Sequence, residues 1–260
     1  RDTFDALTEL ITNADDSYQR LRTAGQIEVE VERHRDGKCD ILRVRDCAEG
    51  MSAKDMDKNL GWRGGRVSGL ESGARVRGTN SRGAKDIAVL GRTTFESIKE
   101  GMYQKCEIWR TDFTPFESEP ITDEVRERLC IPRGSGTVVT LEIEPQYKTP
   151  QHDSLVDGLA TLVALRDVVK NPDRTIAVRD VNQGRQDTLA APKIEGRERV
   201  RESFEVPGYP GANAKLIICR APTPFQRDRD RFRLGGILVK SGHAIHEATL
   251  FDSRLENDPH

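Results

Sequence analysis

The stretch Glu9-Leu10-Ile11-Thr12-Asn13-Ala14-Asp15-Asp16 (ELITNADD) lies in a segment whose apolar positions Phe4, Leu7, Leu10, Ile11, Ala14, Tyr18 and Leu21 recur at the helical period. Residues 2–23 are therefore predicted to form one amphipathic helix. Asparagine suits a helix interior poorly, because its side chain competes for backbone hydrogen bonds, so Asn13 calls for a solvent-facing position or a ligand. Spacings of four and three gather Glu9, Asn13 and Asp16 on a face opposite the apolar stripe. A carboxylate there can serve as general base toward a water, and an amide oxygen is a hard, neutral ligand suited to Mg²⁺. Taken alone, such a face reads more simply as a solvated one.

Working outward, Gln26 to Asp46 alternates Ile27, Val29 and Val31 with Glu28, Glu30 and Glu32, turns at Asp36-Gly37, and resumes at Ile41, Leu42 and Val44. This is the pattern of an antiparallel hairpin with one wet face. "DCAEGM" (residues 46–51) closes the hairpin, and Ser52 with Asp55 three residues later forms a capping-box pattern that opens a short helix. Residues 61–82 are rich in Gly, Ser and Arg without periodicity, a loop of a length expected of a lid, and lead into a predicted helix over residues 83–90. Strands are predicted in "RTTFESIKE" (92–100), "YQKCEIWRT" (103–111) and "GTVVTLEIE" (136–144), with a polar segment over 112–135. A second amphipathic helix is predicted over 153–170, stopped by Asn171-Pro172, followed by a strand in "RTIAVRDV" (174–181). A boundary is expected in the polar run 182–198. Beyond it "FEVPGY", "AKLIICRAP" and "GGILVKSG" suggest a second, strand-rich unit.

Composition narrows the class. At 260 residues the chain has room for one large or two ordinary domains, and 32% charged residues balance to a formal net charge of −2, which signals neither a nucleic-acid binder nor an acidic tail. Five scattered cysteines with no C-x-x-C pair disfavour a disulfide framework and a zinc ribbon, so a cytoplasmic protein is expected. No apolar run approaches the ~20 residues that span a bilayer, and no membrane partner is expected. A start at Arg1 that runs at once into a helix suggests an internal fragment.

In order along the chain, "ELITNADDS", "DCAEGM", "GTNSRGAK" and "GSGTVVTL" resemble the four boxes of the GHKL ATPases, the Bergerat-fold group that includes gyrase B, heat-shock chaperones, MutL, histidine kinases and MORC proteins. The chaperone-like and MORC-like members are nearest in character. The resemblance covers residues 1–187 and implies an α+β fold, a two-layer sandwich of helices on a mixed, mostly antiparallel sheet. Residues 188–260 would begin a second, transducer-like domain. Mg²⁺ and ATP, with ADP as product, are the implied ligands. The implied function is Mg²⁺-dependent ATP binding and slow hydrolysis that drives lid closure and conformational change or dimerisation, with a homodimer among the implied assemblies. The client, protein or nucleic acid, is left open.

By that resemblance Glu9 matches the water-activating glutamate, Asn13 the magnesium ligand and Asp16 an acid of the nucleotide pocket. Asp46 matches the aspartate that accepts from the adenine amino group, Gly50 the glycine that lets backbone approach the base, and Met51 a flank against the ring. Gly78, Gly83, Ala84 and Lys85 match the lid-end box, where backbone N–H groups and a helix start favour phosphates. Lys85 resembles the phosphate-facing lysine of MORC-like members, and Thr137 the strand threonine that supports the adenine-binding aspartate, directly or through water.

Two positions depart from the pattern: Ala48 replaces the first glycine of D-x-G-x-G, and Ser81 the middle glycine of the lid-end box. Both fit an ATPase or a nucleotide-sensing scaffold with little turnover. A histidine-kinase-type phosphotransferase is disfavoured by Glu9, which such kinases usually lack. Lys240 matches in position only the lysine that the second domain of MutL and gyrase sends to the γ-phosphate. The lid arginines Arg63, Arg66, Arg75, Arg77 and Arg82 would touch phosphates or keep the loop soluble. His243 and His246 have no third metal ligand nearby in sequence, and "RDRDRFR" (227–233) alternates sign like an exposed segment.

Overall fold

A computed structural model describes residues 2–34, 37–60, 86–110, 112–114, 117–193, 196–223, 235, 237–241 and 244–249. The first helix, α1 (Thr3–Leu21), starts at a capping box in which the Asp2 side chain accepts from backbone N–H groups of the first turn and Asp5 returns the bond, and it ends at Arg22 in the left-handed conformation. The hairpin follows as β1 (Gly25–Glu32) and β2 (Asp40–Asp46), in register from Ile27 opposite Asp46 to Glu32 opposite Ile41. Ser52 and Asp55 exchange the expected capping bonds at the start of α2 (Ala53–Leu60).

After a 3₁₀ turn (Ile87–Val89) come β3 (Gly91–Lys99) and β4 (Met102–Trp109), then the short strands β5 (Asp112–Phe113) and β6 (Glu117–Pro120), a helix α3 (Asp123–Leu129) and β7 (Gly136–Ile143). The chain then runs through α4 (His152–Thr161), a second 3₁₀ turn (Val163–Leu165), α5 (Arg166–Lys170), β8 (Arg174–Asp180) and β9 (Arg185–Thr188). The order β5-β4-β3-β7-β2-β1-β8-β9, with β6 on β4, forms one mixed sheet in which the β1–β8 pairing is parallel and every other pairing antiparallel. Two further hairpins, β10 (Arg197–Glu205) with β11 (Asn213–Arg220) and β12 (Ile237–Ser241) with β13 (Ala244–Thr249), make separate two-stranded sheets.

Alternation sets the layers. Ile27, Val29, Val31, Leu42, Val44, Leu141 and Val178 point to one face and pack with Leu7, Leu10, Ile11, Leu155, Leu159 and Val168 of the helices. The opposite face of β1 and β2 is charged, with Arg43 near Glu30 and Glu32 and Arg45 paired to Glu28. Further along that face α3 covers a smaller core of Ile98, Tyr103, Leu129, Ile131 and Val138.

Several expectations need correction. The helix predicted over 153–170 is broken at Leu162, whose φ of −58° and ψ of 123° leave helical space, so α4 ends one residue earlier. The polar segment 112–135 holds two short strands and α3, a charged helix whose one buried residue is Leu129. Of the helix predicted over 83–90, residues 83–85 lie outside the described residues, Asp86 is helical, and a 3₁₀ turn replaces the helix over Ile87–Val89. The run 182–198, in which the boundary is expected, carries β9 and the start of β10.

Candidate nucleotide site

Helix α1 brings the first group. The Asn13 side-chain amide nitrogen donates to the Glu9 carboxylate at 3.1 Å, one turn back. With the nitrogen so engaged, the Asn13 amide oxygen is left as an acceptor, and Asn13 is exposed. Asp16, seven residues after Glu9 and so on the same helix face, is buried at 5% exposure, because the C-terminal half of α1 is covered on a wider arc that also takes in Asp15, Ser17 and Tyr18. Asp15 is fully buried and pairs with Arg174 at 2.7 Å, while the Arg174 guanidinium stacks on the Tyr18 ring at 4.9 Å.

The second group lies at the end of β2. Asp46 is 8% exposed, and its carboxylate accepts from the Ala48 backbone N–H at 2.9 Å. Burial pushes its pKa up to about 7, against the backbone amides of Ala48 and Thr137 and the more distant Arg20 charge, which favour the ionised form; Glu49 adds a small upward push. Three contacts fasten the loop that follows to α1. The Cys47 N–H donates to the Tyr18 hydroxyl at 2.9 Å, the Glu49 N–H to the Ser17 hydroxyl at 3.2 Å, and Arg20 pairs with Glu49 at 2.7 Å. The Tyr18 hydroxyl in turn donates to the Gln26 carbonyl at 2.8 Å, and burial pushes its pKa up to about 12, so it keeps that proton.

Gly50 has φ of +66°, and a Cβ on it would stand 2.2 Å from the Ile98 carbonyl oxygen, so this close approach of loop to strand requires glycine. Met51, half-buried, packs against the main core. Asp46, Thr137, Ser97 and Gln104 are successive register partners across β2, β7, β3 and β4, a polar row at one end of a mostly apolar face. The Thr137 hydroxyl meets Ser97 at 3.0 Å, so the threonine supports Asp46 through its backbone amide while its side chain bonds elsewhere.

Glu9, Asn13 and Asp16 thus share one helix, and that helix is pinned to the loop joining Asp46 to Met51. Gly78, Gly83, Ala84 and Lys85, Ser81 and the lid arginines lie outside the described residues, as does "RDRDRFR". Lys240 is tied to Asp167 of α5 at 2.5 Å. Sequence reasoning missed Tyr18 as a pin and Ser97 altogether. Alternation through Thr93, Phe95 and Ser97 places a hydroxyl on the core face of β3, and that was the available signal.

For a metal, the described residues hold no group of three or more His, Cys, Asp or Glu able to bind an ion. The one neutral oxygen of Asn13 suits Mg²⁺ carried by a phosphate chain, since that ion keeps water and phosphate oxygens as most of its ligands. All five cysteines are free thiols, and no described helix is long and apolar enough to cross a membrane.

No protein-family model matches the sequence, and no curated protein does. The structure is similar to the ATPase and transducer domains of DNA topoisomerase II from Balamuthia mandrillaris, with a TM-score of 0.52 and 16% identity over 72% of this chain and 48% of that one. It also matches the 43K ATPase domain of Thermus thermophilus gyrase B in complex with an aminocoumarin, with a TM-score of 0.45 and 19% identity over 72% of this chain and 45% of that one. The chain spans about half the length of the solved structures it matches. Its fold is the GHKL, or Bergerat, fold of the topoisomerase II ATPase domain, a mixed sheet layered with helices.

Proposed function

We propose that this chain binds ATP with Mg²⁺ and hydrolyses it slowly, in a pocket between α1 and the Asp46–Met51 loop. The observation that carries the reading is Asp46, a buried carboxylate held by backbone amides and, among the described residues, not in an ion pair. Burying such a group is costly unless something completes its hydrogen bonds, and the amino group of adenine supplies a donor that a 6-oxo purine lacks. Met51 flanks the base. Asn13 would hold Mg²⁺ through its amide oxygen, and the ion would supply charge neutralisation at the phosphates. Glu9, oriented by the Asn13 amide, polarises the attacking water and takes its proton. Positioning and electrostatics then do most of the catalytic work.

In this reading residues 1–187 form the ATP-binding domain, residues 188–260 begin a transducer-like unit, and the work done with ATP is lid closure coupled to conformational change or dimerisation. The chaperone-like and MORC-like character belongs to the same reading and rests on the motifs. Calorimetric titration of ATP into wild type and Asp46→Asn tests it. Wild type is expected to bind and the variant to lose at least about tenfold in affinity; equal binding by both contradicts the assignment of Asp46.

A further inference from the structure

Ser97 has no exposed surface and sits among three polar partners. The Met51 backbone N–H reaches its oxygen at 2.7 Å, its hydroxyl reaches the Gly136 carbonyl at 2.8 Å, and the Thr137 hydroxyl lies 3.0 Å away. The protons in this cluster can be assigned by elimination. A backbone N–H only donates and a carbonyl only accepts, so Ser97 receives from Met51 and spends its single proton on Gly136. The Ser97–Thr137 bond must then be donated by Thr137. The Thr137 hydroxyl proton is committed to Ser97, and what remains on that oxygen is a lone pair, next to Asp46 in the sheet register.

We infer that Ser97 is a positioning residue that fixes Thr137 as an acceptor, so that Thr137 and the ionised Asp46 together present an acceptor-only edge and select a base carrying an amino donor over one carrying a carbonyl. The inference rests on the nucleotide reading of the site and adds a determinant two strands away from Asp46. Nothing in Ser97 touches the base. Its effect is exerted through the direction of one hydroxyl and through the Met51 amide it anchors.

Removing the hydroxyl with Ser97→Ala frees the Thr137 proton, which can then turn toward a ligand and donate. ATP and inosine triphosphate form the test pair, because they differ at the purine 6-position by an amino group against a carbonyl. For wild type, Ser97→Ala and Ser97→Thr, both affinities and the thermal midpoint are measured. The expected result is an ATP-to-inosine-triphosphate preference that falls about tenfold in Ser97→Ala, by loss for ATP and gain for the 6-oxo base, and that is retained in Ser97→Thr. Simple loosening of the fold would weaken both ligands together and leave the ratio where it was. A wild type that binds ATP while Ser97→Ala keeps the wild-type ratio overturns the inference and leaves the nucleotide site standing. A wild type that binds neither triphosphate overturns both.

Discussion

The Tyr18 hydroxyl accepts the backbone N–H of Cys47, the residue that follows Asp46, and thereby ties the helix carrying Glu9 and Asn13 to the strand end carrying the buried carboxylate. The same hydroxyl donates to the Gln26 carbonyl, so one side chain closes a triangle between α1, β1 and the end of β2. Tyr18→Phe keeps the ring and its stacking with Arg174 while leaving two backbone groups without their partner. A loss of about 1–3 kcal/mol in urea unfolding is expected. Because the two halves of the site are then less firmly registered, ATP affinity should fall along with stability.

The Asp15–Arg174 pair is buried on both sides, with side-chain exposures of 0% and 3%. Truncating one partner leaves a charge in the interior, which typically costs about 3–5 kcal/mol. Arg174→Met is therefore expected to lower unfolding free energy by about that much. The double variant Asp15→Asn with Arg174→Met should recover part of the loss, which a two-by-two set of unfolding curves reads directly.

At Gly50 the strain and the steric conflict coincide. Gly50→Ala must hold a positive φ and place a methyl group against the Ile98 backbone carbonyl. Destabilisation of more than about 1 kcal/mol is expected, together with weaker ATP binding as the loop and Met51 shift. Gly37, with φ of +74° but open space around it, serves as the control: Gly37→Ala should affect stability through backbone strain while leaving ATP binding alone.

Much of this arrangement was legible in the sequence. Helix α1 and the β1–β2 hairpin show because each has one wet face, so the 3.6-residue and two-residue periods stand out. The break at Leu162 leaves no mark, since the apolar spacing continues through a change of backbone dihedrals. Helix α3 escapes because seven mostly charged residues bury a single leucine. Asp15 and Arg174 are 159 residues apart, and spacing says nothing about such a pair. The burial of Asp16 does not show in its spacing, because the covered arc of α1 widens toward its C-terminal end, where the helix is fastened to residues 47–49.

The raised pKa of Asp46 gives a pH dependence with a definite sign. Between its ordinary value of 3.8 and about 7, the unfolded chain has released this proton while the folded protein still holds it. The unfolded state then binds fewer protons, so this group makes stability fall as pH rises through that window, by at most roughly 1.4 kcal/mol per pH unit, and contributes no slope above it. Asp46→Asn should remove that component, seen as a difference between wild-type and variant unfolding at pH 5 and pH 7.5. An adenine amino donor favours the ionised carboxylate, so ATP binding near pH 7 should release protons from wild type, detected as a binding heat that depends on the buffer's ionisation enthalpy. Asp46→Asn should show less release.

Hydrolysis at Glu9, as proposed, is tested by measuring ATP binding and steady-state phosphate release on the same preparations of wild type and Glu9→Ala. Glu9→Ala is expected to bind ATP about as well as wild type while its phosphate release falls by about a hundredfold or more. Phosphate release unchanged by Glu9→Ala would contradict it and leave a nucleotide-binding scaffold in its place.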